Sequence, residues 1–169
     1  MQKSSVGSER GRGKLFDSLE QEAYLQLWRT YDRLREIEDE LFRKHDINAQ
    51  QYNSLRILKS VRPGSMTTAA LSARLVSRSP DMTRMLDKLQ SRGWVVRNRN
   101  ETNRRVSEVK ITPAGVAFLA RIAVAVQRCN RDQLGHLDRD SLQDLIRLLN
   151  EARRPHEGDP SGDDWPGNY

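Results

Sequence analysis

A chain of 169 residues with 36% hydrophobic and 31% charged residues suits one domain with tails, and so thin an apolar content points to burial shared between two subunits. The net charge is +6, and the C-terminal acids Glu157, Asp159, Asp163 and Asp164 mask a still more basic body, which favours a polyanionic partner over mere solubility. A single cysteine, no apolar run of spanning length and the polar start MQKSSVGSERGRGK exclude a disulfide framework, a membrane-spanning helix and a signal peptide, so a soluble cytoplasmic protein is expected.

Residues 1–14 read as a flexible arm, basic at Lys3, Arg10 and Arg12. Residues 15–47 form an N-terminal helix, because Tyr24, Leu27, Trp28, Tyr31, Leu34, Ile37 and Leu41 recur at spacings of three and four. Its other face carries alternating charges and is solvated. Asn48 opens a second helix with Gln51 three residues on, as in a capping box, and Arg62-Pro63-Gly64 stops it. Thr67 caps a short third helix that turns Leu71 and Leu75 inward.

The stretch SRSPDMTRMLDKLQSRGWV, residues 77–95, holds the fourth helix. Ser79 is its expected N-cap, Pro80 its first residue and Asp81 a first-turn carboxylate that complements the helix dipole. Met82, Met85, Leu86 and Leu89 make the buried stripe, and Gly93 ends the helix. Arg84, Asp87, Lys88 and Ser91 are left facing outward. Trp94 to Val96 reads as a brief strand, and Val109 and Ile111 lie on one face of a second. Between them residues 98–105 contain three arginines and no apolar side chain, as a hairpin tip. Thr112-Pro113 starts a long helix, and a last amphipathic helix beginning near Asp138 uses Leu142, Leu145, Ile146 and Leu149. Residues 155–169 read as a disordered acidic tail.

This order is mainly α with a small β-hairpin wing, a winged helix-turn-helix spanning residues 48–112 and flanked by helices at 15–47 and 113–154. A helix fits the major groove of DNA, and the residues at its N-terminal end reach base edges. The candidate DNA contacts are therefore Ser77, Ser79, Pro80, Asp81, Thr83, Arg84 and Lys88 on the helix. On the wing they are Arg99, Asn103, Arg104 and Arg105, with the arginines set to follow phosphates or enter the minor groove. Asp81 is read first as a dipole residue and only second as a base reader.

Catalytic and metal chemistry find no support. His45, His136 and His156 are scattered, and with one cysteine they make no ligand set, so no metal or cofactor is expected. GRGK at residues 11–14 lacks the spacing of a phosphate-binding loop, and no nucleophile or metalloprotease motif occurs. Cys129 is read as a small buried apolar residue, with Arg128 and Arg131 the only hint of an activated thiol.

The segment from Asn48 to Leu119 resembles the MarR family of bacterial transcription regulators. The resemblance is carried by INAQQYNSLRIL, MTTAALSARL, SRSPDMTRMLDKLQSRGWV and, above all, RNETNRRVSEVKITPAG. It implies a homodimer built through the N- and C-terminal helices, with Leu142, Leu145, Ile146 and Leu149 buried between subunits. It also implies a pseudo-palindromic operator in double-stranded DNA, read by two helices about 34–36 Å apart. A repressor relieved by a small-molecule effector is the implied mode of action. Trp28, Tyr31, Arg35 and Tyr52 are candidates for the effector pocket, although aromatic residues on an apolar stripe belong first to a core. Where the family commonly has Asp before the wing arginines this chain has Asn103, which replaces an ion pair by a neutral hydrogen bond and leaves the wing looser. The competing reading is a winged-helix protein-interaction module that no longer reads DNA, which Asp81 and Asp87 on the exposed face would suit. A single-stranded RNA binder lacks its aromatic platforms here.

Overall fold

Side-chain caps decide where most of the helices begin. The computed structural model describes residues 16–76, 81–99 and 107–157. Helix α1 is Leu19–Lys44 and α2 is Ala49–Ser60. The Asn48 side chain accepts from the Gln51 N–H at 2.9 Å while the Gln51 amide oxygen accepts from the Asn48 N–H at 3.1 Å, which closes the capping box. Strand β1 is Met66–Thr67, and Thr67 then caps α3, Thr68–Arg74, through the Ala70 N–H. Helix α4 is Met82–Ser91, β2 is Val95–Arg99 and β3 is Ser107–Ile111. Thr112 caps α5, Pro113–Leu134, and Asp138 caps α6, Arg139–Arg153, which runs into a 3-10 turn at Arg154–His156.

The chain divides into two units, residues 1–36 and 37–169. The described part of the first is chiefly the opening five turns of α1. Tyr24, Leu27, Trp28 and Tyr31 are all exposed there, with the Tyr24 and Trp28 rings 6.2 Å apart. The periodicity of α1 is thus as read, but these aromatic residues are not core within one chain.

The second unit holds the core. Phe42, Leu55, Leu58, Leu71, Leu86, Leu89, Val95, Val109 and Ile122 are nearly inaccessible, drawn from the end of α1, from α2 to α5 and from the sheet. The sheet has three antiparallel strands in the order β1-β3-β2. β1 pairs Met66 with Val109, and β2 pairs Val95 with Ile111 through to Arg99 with Ser107. Two features go beyond the sequence reading. β1 adds a third strand that two residues could not announce by alternation, and β2 extends to Arg99, so that Arg99 stands in the ladder and not in the hairpin tip.

The join between α4 and the wing is tight. Gly93 takes φ 69°, a left-handed conformation that ends the helix while Gly93 and Trp94 return hydrogen bonds to Gln90 and Leu89. Thr112 then ties the far end of the hairpin back: its N–H donates to the Trp94 carbonyl at 2.9 Å and its hydroxyl to that of Gly93 at 2.6 Å. Helix α5 consequently starts against the root of β2, with the Phe118 ring stacked on Trp94 at 3.9 Å.

Candidate nucleic-acid interface

α4 presents one apolar and one polar side. Met85, Leu86 and Leu89 are buried, whereas Asp81, Thr83, Arg84, Asp87, Lys88, Gln90 and Ser91 are exposed. Thr83, Arg84 and Lys88, three of the expected DNA contacts, therefore stand together on the solvent side, with Arg84 and Lys88 one turn apart.

The N-cap expected at Ser79 lies instead at Asp81. Its carboxylate accepts the Arg84 N–H at 2.9 Å, and the helix begins at Met82. An anionic acceptor at the positive end of the helix makes a charge-assisted bond, the physical reason for this start. Ser77, Ser79, Pro80, Asn103, Arg104 and Arg105 lie outside the described residues, as does the side chain of Arg99.

The other exposed acid of α4 is also engaged. Arg97 of β2 reaches across to pair with Asp87, and its Nε donates to Gln90 Oε1 at 2.7 Å. Asp81 is thus held by its own helix and Asp87 by the wing strand, while Arg84 and Lys88 point outward. The sequence reading missed Arg97. The signal was present in the alternation Val95-Val96-Arg97, which places an arginine on the same side of the strand as a buried valine. Thr67, Thr68, Ala69, Thr83, Leu86, Arg97 and Ser107 line an open groove of about 500 Å³ between α3, α4 and the sheet.

Further from α4, Arg92 pairs with Asp46 in the turn between α1 and α2 and lies 4.9 Å over the Trp94 ring. The end of α4 is thereby anchored on two sides.

The candidate effector residues fall into different environments. Trp28 lines a shallow depression with Leu25, Arg29 and Asp32, and Tyr31 is exposed. Tyr52 is buried, its ring 4.8 Å from that of Phe42, and burial pushes its hydroxyl pKa up, against the pull of Arg56. It edges an open cleft of about 340 Å³ with Arg56, Lys59, Ser60, Leu119 and Ala123. Cys129 is buried as read. Desolvation, and after it the charges of Glu38 and Asp132, raise its thiol pKa, the opposite of activation by Arg128 or Arg131. Among the described residues no cluster of metal-ligating groups occurs, and no helix is long and apolar enough to cross a membrane.

In α6 no residue is buried within the chain. Leu142, Leu145 and Leu149 are half-buried, and Ile146 and Leu148 are more than half exposed.

Comparison with known proteins places the same segment in one family. The MarR family profile matches residues 47–107, from the turn before α2 to the first residue of β3. The multiple antibiotic resistance protein MarR of Salmonella typhimurium is 38% identical over 105 residues, covering 62% of this chain and 69% of that protein. The transcriptional repressor MprA of Escherichia coli is 27% identical over 120 residues, 69% of this chain and 68% of its own. A crystal structure of a MarR transcription factor from Planctomyces limnophilus is 51% identical, with a TM-score of 0.65 over 80% of this chain and 98% of that one. A mutant MarR from Escherichia coli complexed with operator DNA is 25% identical, with a TM-score of 0.69 over 80% of this chain and 99% of that one. The profile thus falls on α2, α3, α4 with its polar face, and the strands β1 and β2, and the relatives extend the likeness beyond them: this chain belongs to the MarR family.

Proposed function

We propose that the protein is a sequence-specific, double-stranded DNA-binding transcription regulator of the repressor type. It binds a pseudo-palindromic operator as a homodimer in the cytoplasm and has no catalytic role. The observation that carries this reading is the outward face of α4. Thr83, Arg84 and Lys88 are free to meet a duplex, while the acids beside them are occupied by a helix cap and by Arg97. The same observation weakens the interaction-module alternative, which calls for a neutral or acidic face on α4, since Asp81 and Asp87 are the acids that kept that face from being purely basic. The operator complex of the Escherichia coli relative supports the DNA partner. Ser77, Ser79, Pro80, Arg99, Asn103, Arg104 and Arg105 complete the proposed contact set.

Relief by a small effector belongs to the same proposal. Tyr52, with Arg56 and Lys59 on its cleft, is the proposed effector residue that combines an apolar wall with positive charge; Trp28, Tyr31 and Arg35 are kept as proposed effector contacts within α1.

The test is selection of genomic DNA fragments by the purified protein, followed by affinity on the best fragment over a range of salt. The expected result is enrichment of a pseudo-palindrome and a steep fall of affinity with salt, as phosphate contacts release counterions. Weak binding with no sequence preference would leave α4 as scaffold and return the interaction-module reading.

A further inference from the structure

Arg97 stands on the inward side of β2. Val95 is 1% exposed and Val96 is open to solvent, so the alternation turns Arg97 toward the core side, opposite buried Val109. A guanidinium in that position has to find acceptors. It finds two on α4, Gln90 through Nε and Asp87 through a terminal nitrogen. These acceptors lie three residues apart, one helical turn. One bond would fix only a distance between strand and helix, whereas a planar fork held at two points fixes an orientation.

We propose that Arg97 is a positioning residue for DNA reading, which locks the wing strand to α4 and cancels the Asp87 carboxylate on the side that faces the polyanion. The inference rests on the DNA-binding function proposed above. It assigns Arg97 no contact with DNA: Arg97 acts through the placement of Arg84 and Lys88 relative to the wing. The Asp87 side chain is 55% exposed and that of Arg97 26%, so a substitution at Asp87 is expected to leave the fold intact, which the thermal melt checks.

A phosphate contact by Arg97 makes the opposite prediction at Asp87. Removing a negative charge beside DNA ordinarily tightens binding; removing the acceptor that aims Arg97 loosens it. The experiment is fluorescence anisotropy on the selected operator fragment at several salt concentrations. It compares the unsubstituted protein with Asp87→Asn, Arg97→Gln, Arg97→Lys and the double Asp87→Asn/Arg97→Gln variant, with a thermal melt of each by circular dichroism. Asp87→Asn is expected to weaken specific binding roughly tenfold with an unchanged salt slope. Arg97→Gln weakens it further, because the carboxylate is then uncovered, and the double variant recovers to the level of Asp87→Asn. Arg97→Lys, which keeps the charge but lacks the fork, falls between.

Equal or tighter binding by Asp87→Asn overturns the inference, as does a salt slope reduced by about one phosphate in Arg97→Gln. If the unsubstituted protein shows no sequence preference, the DNA-binding reading fails and this inference with it. Specific binding by the unsubstituted protein, unmoved by Asp87→Asn, sinks this inference alone.

Discussion

Gly115 is a glycine because a side chain has no room there. A Cβ at this position would lie 2.4 Å from the Trp94 carbonyl oxygen and 2.8 Å from the Ile111 side chain. Both belong to the root of the wing, so the first turn of α5 is pressed directly onto the strands. Backbone cannot yield as a flexible side chain can, and Gly115→Ala is expected to destabilise the chain by about 2 kcal/mol. Urea denaturation checks this; an unchanged midpoint would mean that α5 can retreat without loss. At Arg84 the expected effect is on recognition and not on folding. Its side chain is exposed, so Arg84→Ala leaves the melt unmoved but loses roughly 1–3 kcal/mol of discrimination between operator and random DNA. Loss of affinity equal on both sequences would make Arg84 a phosphate contact. Single residues were legible in the sequence to the extent that their role was local. Gly115 was visible as part of a motif, and Asn48 and Gln51 as a cap. The clamp of Arg97 on Asp87 spans ten positions across a helix end and a turn, and spacing alone does not reveal a partner in another element.

The elements were more legible than their contacts, since capping is a short-range affair. Thr67, Thr112 and Asp138 each accept the N–H three residues on, as hydroxyl and carboxylate groups at those positions predict. α4 differed because two good caps competed within three residues. β1 escaped notice because it is a two-residue strand formed wholly by pairing with β3. Asp138 adds a pH dependence to α6. Its carboxyl pKa is lowered from the ordinary value, first by the Ser141 N–H bond and then by the Ser141 hydroxyl. A carboxylate with a depressed folded pKa stabilises the native state above its unfolded pKa, and that contribution fades as pH falls through the folded one. The α6 amides are therefore expected to lose hydrogen-exchange protection as the solution is acidified below the usual aspartate range. Asp138→Asn, which keeps a neutral cap, should remove that acid-side change. Identical acid profiles for the two proteins would assign the change to other carboxylates.

At the scale of the molecule, exposed apolar residues gather on α1 and α6. Tyr24, Leu27, Trp28 and Tyr31 on one, and Ile146 and Leu148 on the other, are apolar groups that a solvated monomer has no reason to collect on helical stripes. α6 is a 15-residue helix with no buried residue, and such a helix gains stability from packing more than from its own propensity. In the proposed homodimer a second copy of the chain supplies that packing, and two-fold symmetry then sets two α4 helices toward one duplex. Leu145→Glu combined with Ile146→Glu places two carboxylates in the proposed interface without touching the buried cluster that runs from Phe42 to Ile122. The variant is expected to sediment as a monomer at concentrations where the unsubstituted protein is a dimer. Because the two half-sites then bind independently, affinity for the full operator should fall by roughly a hundredfold or more, while affinity for an isolated half-site is retained. A variant that stays dimeric removes this stripe of α6 from the interface. A monomer that binds the full operator undiminished removes the two-fold reading of the operator itself, and leaves each winged helix as a complete reader on its own.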